Sequence, residues 1–382
     1  MSTTAFSKYF QQELDVSQLL ARMGGHSSPD DSATLSAIPS TWREWIQSDV
    51  VCSSCGALGA QIVSASRSKK SAAIARQAHF RFVNSEGGDG HHRFCEFYHA
   101  DGTNKQPDAL VNFAVARTHE TKIVRQLVCM GIELNIFGQA DIRAMRQWFF
   151  DFKMGSRFVV NCSPADIEWL WCLRGHYPNG VLFHPSHAQM PDYDWKRAAR
   201  SQLALEHADS LAQIRDVPMT GTQRSRALLL AAKHQGEEMF DVSVLEPYYK
   251  KAVSLSVFIA RNYRDLKFSD ARIAKLGWDD FPSALFAFAA LILWISEWDF
   301  DIAALKVANL IRALPPTNQT LGNVMGLNPF NDYIAWRMIL LANKIVGHRT
   351  GQLEYQAELK KVLANLHAKH QAWLELQPSM NS

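Results

Sequence analysis

Apolar positions recur along most of this chain at the three- and four-residue spacing that turns one face of a helix toward a core. From about Asp108 onward the pattern is almost wholly helical. It predicts helices over Ala109–Met130, Gln139–Phe152 and residues 195–214, 222–235, 244–264, 269–276, 281–295, 300–313, 331–346 and 352–375. The last of these places Leu353, Leu359, Val362, Leu363 and Leu366 at helical spacing, with Lys and Glu between. Ser163-Pro164-Ala165-Asp166 reads as a helix start, with a capping Ser, Pro at the first helical position and an acid in the first turn. Arg157–Asn161 fits a short strand. Ahead of this body, an amphipathic helix is expected over Tyr9–Met23, a Gly/Ser/Pro/Asp linker over Gly24–Pro39, and a short helix at Thr41–Trp45.

Residues 50–100 follow a different period. Val50-Val51, Gln61-Ile62-Val63, His79-Phe80-Arg81-Phe82-Val83 and Arg93 to Tyr98 read as short extended pieces, with a turn-rich loop over Ser85–Gly90. One segment is apolar all round. Phe281 to Ile295 carries no charge, with Asp279-Asp280 before it and Asp299 and Asp301 after it. At 15 residues it is short of the roughly 20 that span a bilayer. A buried central helix is the expectation, with membrane contact the alternative.

Composition changes this picture little. The 382 residues are 47% hydrophobic and 20% charged, ordinary for a globular chain, and long enough for one large domain or two to three smaller ones. A net charge of +3 does not by itself imply a nucleic-acid partner, so any basic surface must be local. The first 15 residues lack the pattern of a secretory signal. Six cysteines form no disulfide framework, and a Cys-x2-Cys pair in a reducing compartment more often holds metal. A cytoplasmic location is the default expectation.

The chemistry concentrates in the β-rich stretch. Cys52-Ser53-Ser54-Cys55-Gly56 has the spacing of a zinc knuckle, in which one turn delivers two thiolates. The second pair of ligands must come from elsewhere in the chain. The preferred set is Cys52, Cys55, His79 and Cys95, with His91 or His92 as alternatives to His79. A closed shell of four would be structural. Three protein ligands and a water would be catalytic. The expected fold class is therefore mainly α, with a small zinc-stapled β module near the N-terminus followed by a large multi-helix domain. The expected segments are 1–40 (helix and linker), 41–107 (zinc module) and 108–382 (helical domain).

Between the ligand pairs, Ser64 to Ser85 contains no Asp or Glu, but holds Arg67, Lys69, Lys70, Arg76 and Arg81. Phe80 and Phe82 follow. A basic loop on a rigid zinc module can meet phosphates, and an adjacent aromatic ring can stack on bases. Cys-x2-Cys-Gly, the basic loop, His-Phe-Arg-Phe and the downstream Cys together resemble the zinc-finger-like N-terminal portion of competence CoiA-like proteins, over residues 51–98. The resemblance implies a bacterial, DNA-associated, intracellular protein. In that family the finger precedes a nuclease-type domain. Here the downstream chain offers no strand-borne Asp followed by Glu-x-Lys, since Glu120-Thr121-Lys122 falls in a predicted helix.

Other motifs are weaker. His184, His187, Asp192 and Asp194 share one Pro-stiffened loop and could form a metal or acid–base site, although a polar surface loop is the simpler reading. Cys129, Cys162 and Cys172 read as small buried hydrophobes. No Gly-x4-Gly-Lys phosphate loop and no Gly-x-Ser-x-Gly elbow occurs. Three functions remain in view: a zinc-containing binding protein contacting nucleic acid or a nucleic-acid-associated complex, a protein–protein interaction subunit with a structural zinc, and a metal-dependent nuclease-like enzyme using Glu120 or the 184–194 loop.

Overall fold

The structure, a computed structural model, describes residues 2–24, 38–67, 74–76, 78–98, 109–113, 118–175, 182–215, 217, 219–276, 282–322, 324–347 and 354–376. In chain order the strands are β1 (Thr4–Ser7), β2 (Gln12–Asp15), β3 (Val50–Val51), β4 (Ala60–Val63), β5 (Ser66–Arg67), β6 (Ile74–Arg76), β7 (His79–Phe82), β8 (Leu110–Asn112), β9 (Arg157–Val159), β10 (Glu238–Phe240) and β11 (Met325–Leu327). The helices are α1 (Val16–Arg22), α2 (Ser40–Asp49), α3 (His119–Glu133), α4 (Gln139–Gly155), α5 (Pro164–Arg174), α6 (Trp195–Glu206), α7 (Ala208–Ile214), α8 (Gly221–His234), α9 (Glu246–Asn262), α10 (Asp270–Lys275), α11 (Ser283–Trp294), α12 (Phe300–Arg312), α13 (Tyr333–Val346) and α14 (Tyr355–Leu376). The protein is mainly helical with small sheets.

The chain divides into two compact units. One comprises Met1–Ser156 with Leu245–Asn331, the other Arg157–Val244 with Asp332–Ser382. In the first unit β1 is the middle strand of a three-stranded sheet ordered β2-β1-β3. The β4–β7 pair aligns Ala60 with Phe82 and Val63 with His79, and β5–β6 nests inside it, aligning Ser66 with Arg76. Together these pairs make one long arm, bulged at Ser66/Arg67. The apolar run becomes α11, and every residue from Ala284 to Leu293 is buried. It packs on α3, α9 and α12. No helix of the described residues is long and apolar enough to cross a membrane.

Two predicted helices give way to strands in their first part. The stretch expected as a helix over Tyr9–Met23 begins with the β1–β2 hairpin, and only Val16–Arg22 is helical. Asp15 sets that start, because its carboxylate accepts from the Gln18 N–H and the Gln18 side chain accepts from the Asp15 N–H. Leu110–Asn112, expected at the start of a long helix, pairs with Met325–Leu327 as a strand. The helix begins at His119, where Thr118 caps it. In the first case a local hairpin, and in the second pairing with a strand far along the chain, overrides a helical period.

The second unit packs α5 and α13 against α8, and α6 against α14. The single helix expected over 195–214 is interrupted at His207, whose Nε2 lies 2.9 Å from Glu358 Oε2. Asn343 of α13 ties the entry of this unit together. Its Oδ1 accepts from the N–H groups of Asn161 and Cys162 at 2.6 and 2.9 Å, and its Nδ2 donates to the Val159 carbonyl at 2.8 Å. Cys129 and Cys162 are fully buried, as expected, while Cys172 is half-buried. Burial, with Asp166 adding to it, pushes the Cys162 thiol up to about 12, in keeping with a packing residue.

Candidate metal centre

Two tight loops of the first unit converge on one point. The first follows β3. The Gly56 N–H donates to the Cys52 carbonyl at 3.1 Å, and Gly56 takes φ +71, a left-handed conformation that L side chains rarely adopt. Gly59 closes the loop at φ +82, and a Cβ there would fall 2.9 Å from the Val83 carbonyl oxygen. The second loop leaves the β4–β7 arm. Asp89 Oδ1 accepts from the His91 N–H at 2.9 Å, and the Cys95 N–H donates to the His92 carbonyl at 2.8 Å.

These loops bring Cys52, Cys55, His91 and Cys95 together, with their four ligand atoms all within 4.8 Å of one another. Cys52 Sγ lies 3.8 Å from Cys95 Sγ, and His91 Nδ1 lies 3.6 Å from Cys55 Sγ and 3.7 Å from Cys95 Sγ. The half-sites share a further feature. The N–H two residues after the cysteine donates to its sulfur, Ser54 to Cys52 at 3.4 Å and Phe97 to Cys95 at 3.5 Å. Such donors favour the thiolate form that binds metal. Phe82 and Phe97 flank the His91 ring at 4.9 and 5.9 Å and shield the cluster. Only Cys55 is part-exposed.

The electrostatics are those of a crowded anionic site. Hydrogen bonds with the Cys52 and Cys95 sulfurs hold Cys55 far below the ordinary thiol range. Burial, then the neighbouring Cys52 and Cys55 sulfurs, push Cys95 far above it. Burial works to lower His91, yet the Cys52 and Cys55 sulfurs raise it to about 9. Three sulfurs and an imidazole in so small a volume could hold a metal ion, which would relieve the repulsion.

The three cysteines of the preferred set are therefore together, joined by His91, the alternative to His79. His79 sits inside β7 opposite Val63, buried and outside the cluster. His92 is exposed. Its Nδ1 accepts from the Phe94 N–H at 3.2 Å, and its ring packs near Phe94 and Phe150. The signal for His91 was its loop setting. It follows the Asp89-Gly90 turn and stands four residues before Cys95, whereas His79 is held in a ladder.

The other candidates are placed as follows. Arg81 on β7 is exposed, while Phe80 and Phe82 are buried at 0% and 2% exposure. Strand alternation turns both rings into the core, so neither is presented to a base. Arg67 and Arg76 occupy β5 and β6, and Lys69 and Lys70 lie outside the described residues. In the 184–194 loop, His184 Nδ1 lies 2.8 Å from Ser186 Oγ, and Asp194 caps α6 by accepting from the Arg197 N–H at 2.9 Å. His184, His187, Asp192 and Asp194 form no metal-ligating group among the described residues. Glu120 lies in the first turn of α3 and pairs with Arg272.

One buried ion pair links the second loop to the helical part of the same unit. Lys153 of α4 donates to Glu96, the neighbour of Cys95, and both side chains are more than nine-tenths buried. Compared with known protein families, curated proteins and solved structures, the chain matches none.

Proposed function

We propose that this chain is a non-catalytic binding protein whose N-terminal module is clasped by one structural zinc ion, and that the β4–β7 arm of that module contacts nucleic acid. The observation that carries the zinc reading is the spacing of the four donors. Zinc bonds of about 2.3 Å to sulfur and 2.0–2.1 Å to nitrogen give tetrahedral edges of about 3.8 Å between sulfurs and 3.6 Å between sulfur and nitrogen. Three of the six separations, at 3.8, 3.6 and 3.7 Å, match those edges, and all six lie within 4.8 Å. Four protein donors close the shell, and three thiolates with one imidazole are the soft set that selects zinc over magnesium or calcium.

The nucleic-acid reading rests on the arm. Its nested strands and the six residues joining them carry Arg67, Lys69, Lys70 and Arg76, Arg81 is exposed below them, and no acid occurs from Ser64 to Ser85. Clustered cations without neighbouring acids attract phosphates. The resemblance to CoiA-like proteins supports the same direction. The test is binding of single- and double-stranded oligonucleotides as a function of salt, beside the triple variant Lys69→Ala/Lys70→Ala/Arg76→Ala. Affinity should fall steeply with salt and be largely lost in the variant. Unchanged binding in the variant removes the arm from the function.

A further inference from the structure

A cleft of about 880 Å³ opens in the first unit, between the β1–β2 hairpin with α1 on one side and the first turns of α4 on the other. That volume suits a small ligand. The cleft lies apart from the metal cluster and from the β4–β7 arm, and no ligand or metal residue of that cluster lines it.

Its walls hold two cations and one acid. The acid, Glu13, is engaged within the wall, since Oε1 accepts from Thr4 Oγ1 at 2.5 Å and Oε2 accepts from the buried Arg146. The cations are Arg22 and Arg143. The Arg143 guanidinium lies 3.7 Å from the centroid of the Phe6 ring and makes no ion pair among the described residues. A guanidinium stacked on an aromatic face keeps its in-plane N–H donors available. Arg22 is braced by Gln12, whose Oε1 accepts from Nη2 at 2.8 Å, and it too makes no ion pair among the described residues.

The remaining lining includes the start of a helix. Gly138, Gln139 and Ala140, at the start of the 17-residue α4, border the cleft. The one carboxylate in that turn, Asp141, accepts from the Gly138 N–H at 2.7 Å and is not part of the lining. On the rim, Gln11 is held at φ +52, a left-handed backbone that is uncommon for a residue with a side chain and recurs at ligand sites.

We infer that this cleft binds a phosphate ester, with Arg143 as the stacked fork and Arg22 as the second cation. Two cations, with the one lining acid already engaged in the wall, favour a dianionic group over a singly charged carboxylate, and a phosphate monoester supplies that charge and more acceptor oxygens. The same chemistry can reach the cleft from a free phosphate monoester or from the phosphodiester of a nucleic-acid strand. This inference does not depend on the basic arm or on zinc.

The experiment titrates the full chain by calorimetry with three probes: adenosine monophosphate, adenosine as the uncharged control, and a single-stranded oligonucleotide without terminal phosphates. A phosphate probe should bind below about 1 mM while adenosine does not, and Arg143→Ala should weaken binding at least about tenfold. Arg143→Lys should fall between, because it keeps the charge and loses the planar fork. Arg22→Ala, on an exposed side chain, supplies a second variant with little bearing on folding. Monophosphate binding alone identifies a free ligand. Oligonucleotide binding weakened by Arg143→Ala identifies the phosphodiester. The Lys69→Ala/Lys70→Ala/Arg76→Ala variant should bind the monophosphate as the wild type does, so failure of the arm and failure of the cleft are distinguishable. No binding of either phosphate probe, equal binding of adenosine, or equal affinity in wild type and both arginine variants overturns the inference.

Discussion

Cys52 and Cys95 stand 43 residues apart in the chain, yet their sulfurs lie 3.8 Å apart, each accepting an N–H from two residues downstream. That separation equals the edge expected of a tetrahedron of thiolates around zinc. A metal ion held there would join the loop after β3 to the loop that follows β7.

The ligand set is separable by mutation. Elemental mass spectrometry of freshly reduced protein should find about one zinc per chain. His91→Ala, Cys95→Ser and the Cys52→Ser/Cys55→Ser double variant should each lose most of it, whereas His79→Ala should keep it. Zinc retained in His91→Ala and lost in His79→Ala would reverse the assignment.

Acid should release the metal. Thiolates bind zinc and thiols do not, so protons compete for Cys52, Cys55 and Cys95. Zinc release followed with a chromogenic chelator should rise as pH falls below neutrality, together with loss of thermal stability. Removal at neutral pH by a strong chelator should lower the melting temperature in the same way. A melting curve indifferent to chelator would mean that the clasp contributes nothing to folding.

Lys153 and Glu96 should behave as a buried pair. Lys153→Met alone leaves the Glu96 carboxylate without its partner, and should cost about 3–5 kcal/mol in chemical denaturation. Adding Glu96→Gln should recover much of that loss, since a neutral pair carries a far smaller desolvation penalty. Additive losses in the double variant would mean that the two residues act separately.

Glu120 gives a pH signature. Burial works to raise its carboxyl, but Arg272 and the first-turn backbone hold it below the ordinary carboxylate range. A depressed folded value contributes stability above the unfolded pKa, which is lost as pH falls through the folded value. The pair is partly solvated, so Glu120→Gln should cost only about 0.5–1 kcal/mol near neutral pH. The difference from wild type should shrink below about pH 4, read from thermal melts across pH. A constant difference across that range would place the effect elsewhere.

The helix α11 should be intolerant on every face. Phe288 is fully buried, and Phe288→Ala should cost about 3–5 kcal/mol in urea denaturation. A loss under about 1 kcal/mol would show that the helix is not packed on all sides.

What the sequence determined by itself is whatever rests on local pattern. The uniform apolar run had to be enclosed, because a helix without a polar stripe has no face to offer water, and Ala284 to Leu293 of α11 are all buried. The tight turn at Cys52-x2-Cys55-Gly56 was legible because two cysteines and a left-handed glycine are set by neighbours in the chain. The helical character of most of the body was legible for the same reason. Tertiary structure decided the rest, because those choices depend on partners distant in sequence. His91 joins the cysteines over His79 because β7 is held against β4, which leaves the following loop to swing its imidazole to the sulfurs. Leu110–Asn112 is a strand because Met325–Leu327 offers a ladder. Phe80 and Phe82 face inward because the sheet has a core on that side. The first unit closes only when the chain returns at Leu245, and no period in the sequence marks that return. The cleft at Arg143 has the same origin, since its walls are the hairpin at residues 11–14 and the turn at residues 138–143, which meet only in the folded protein.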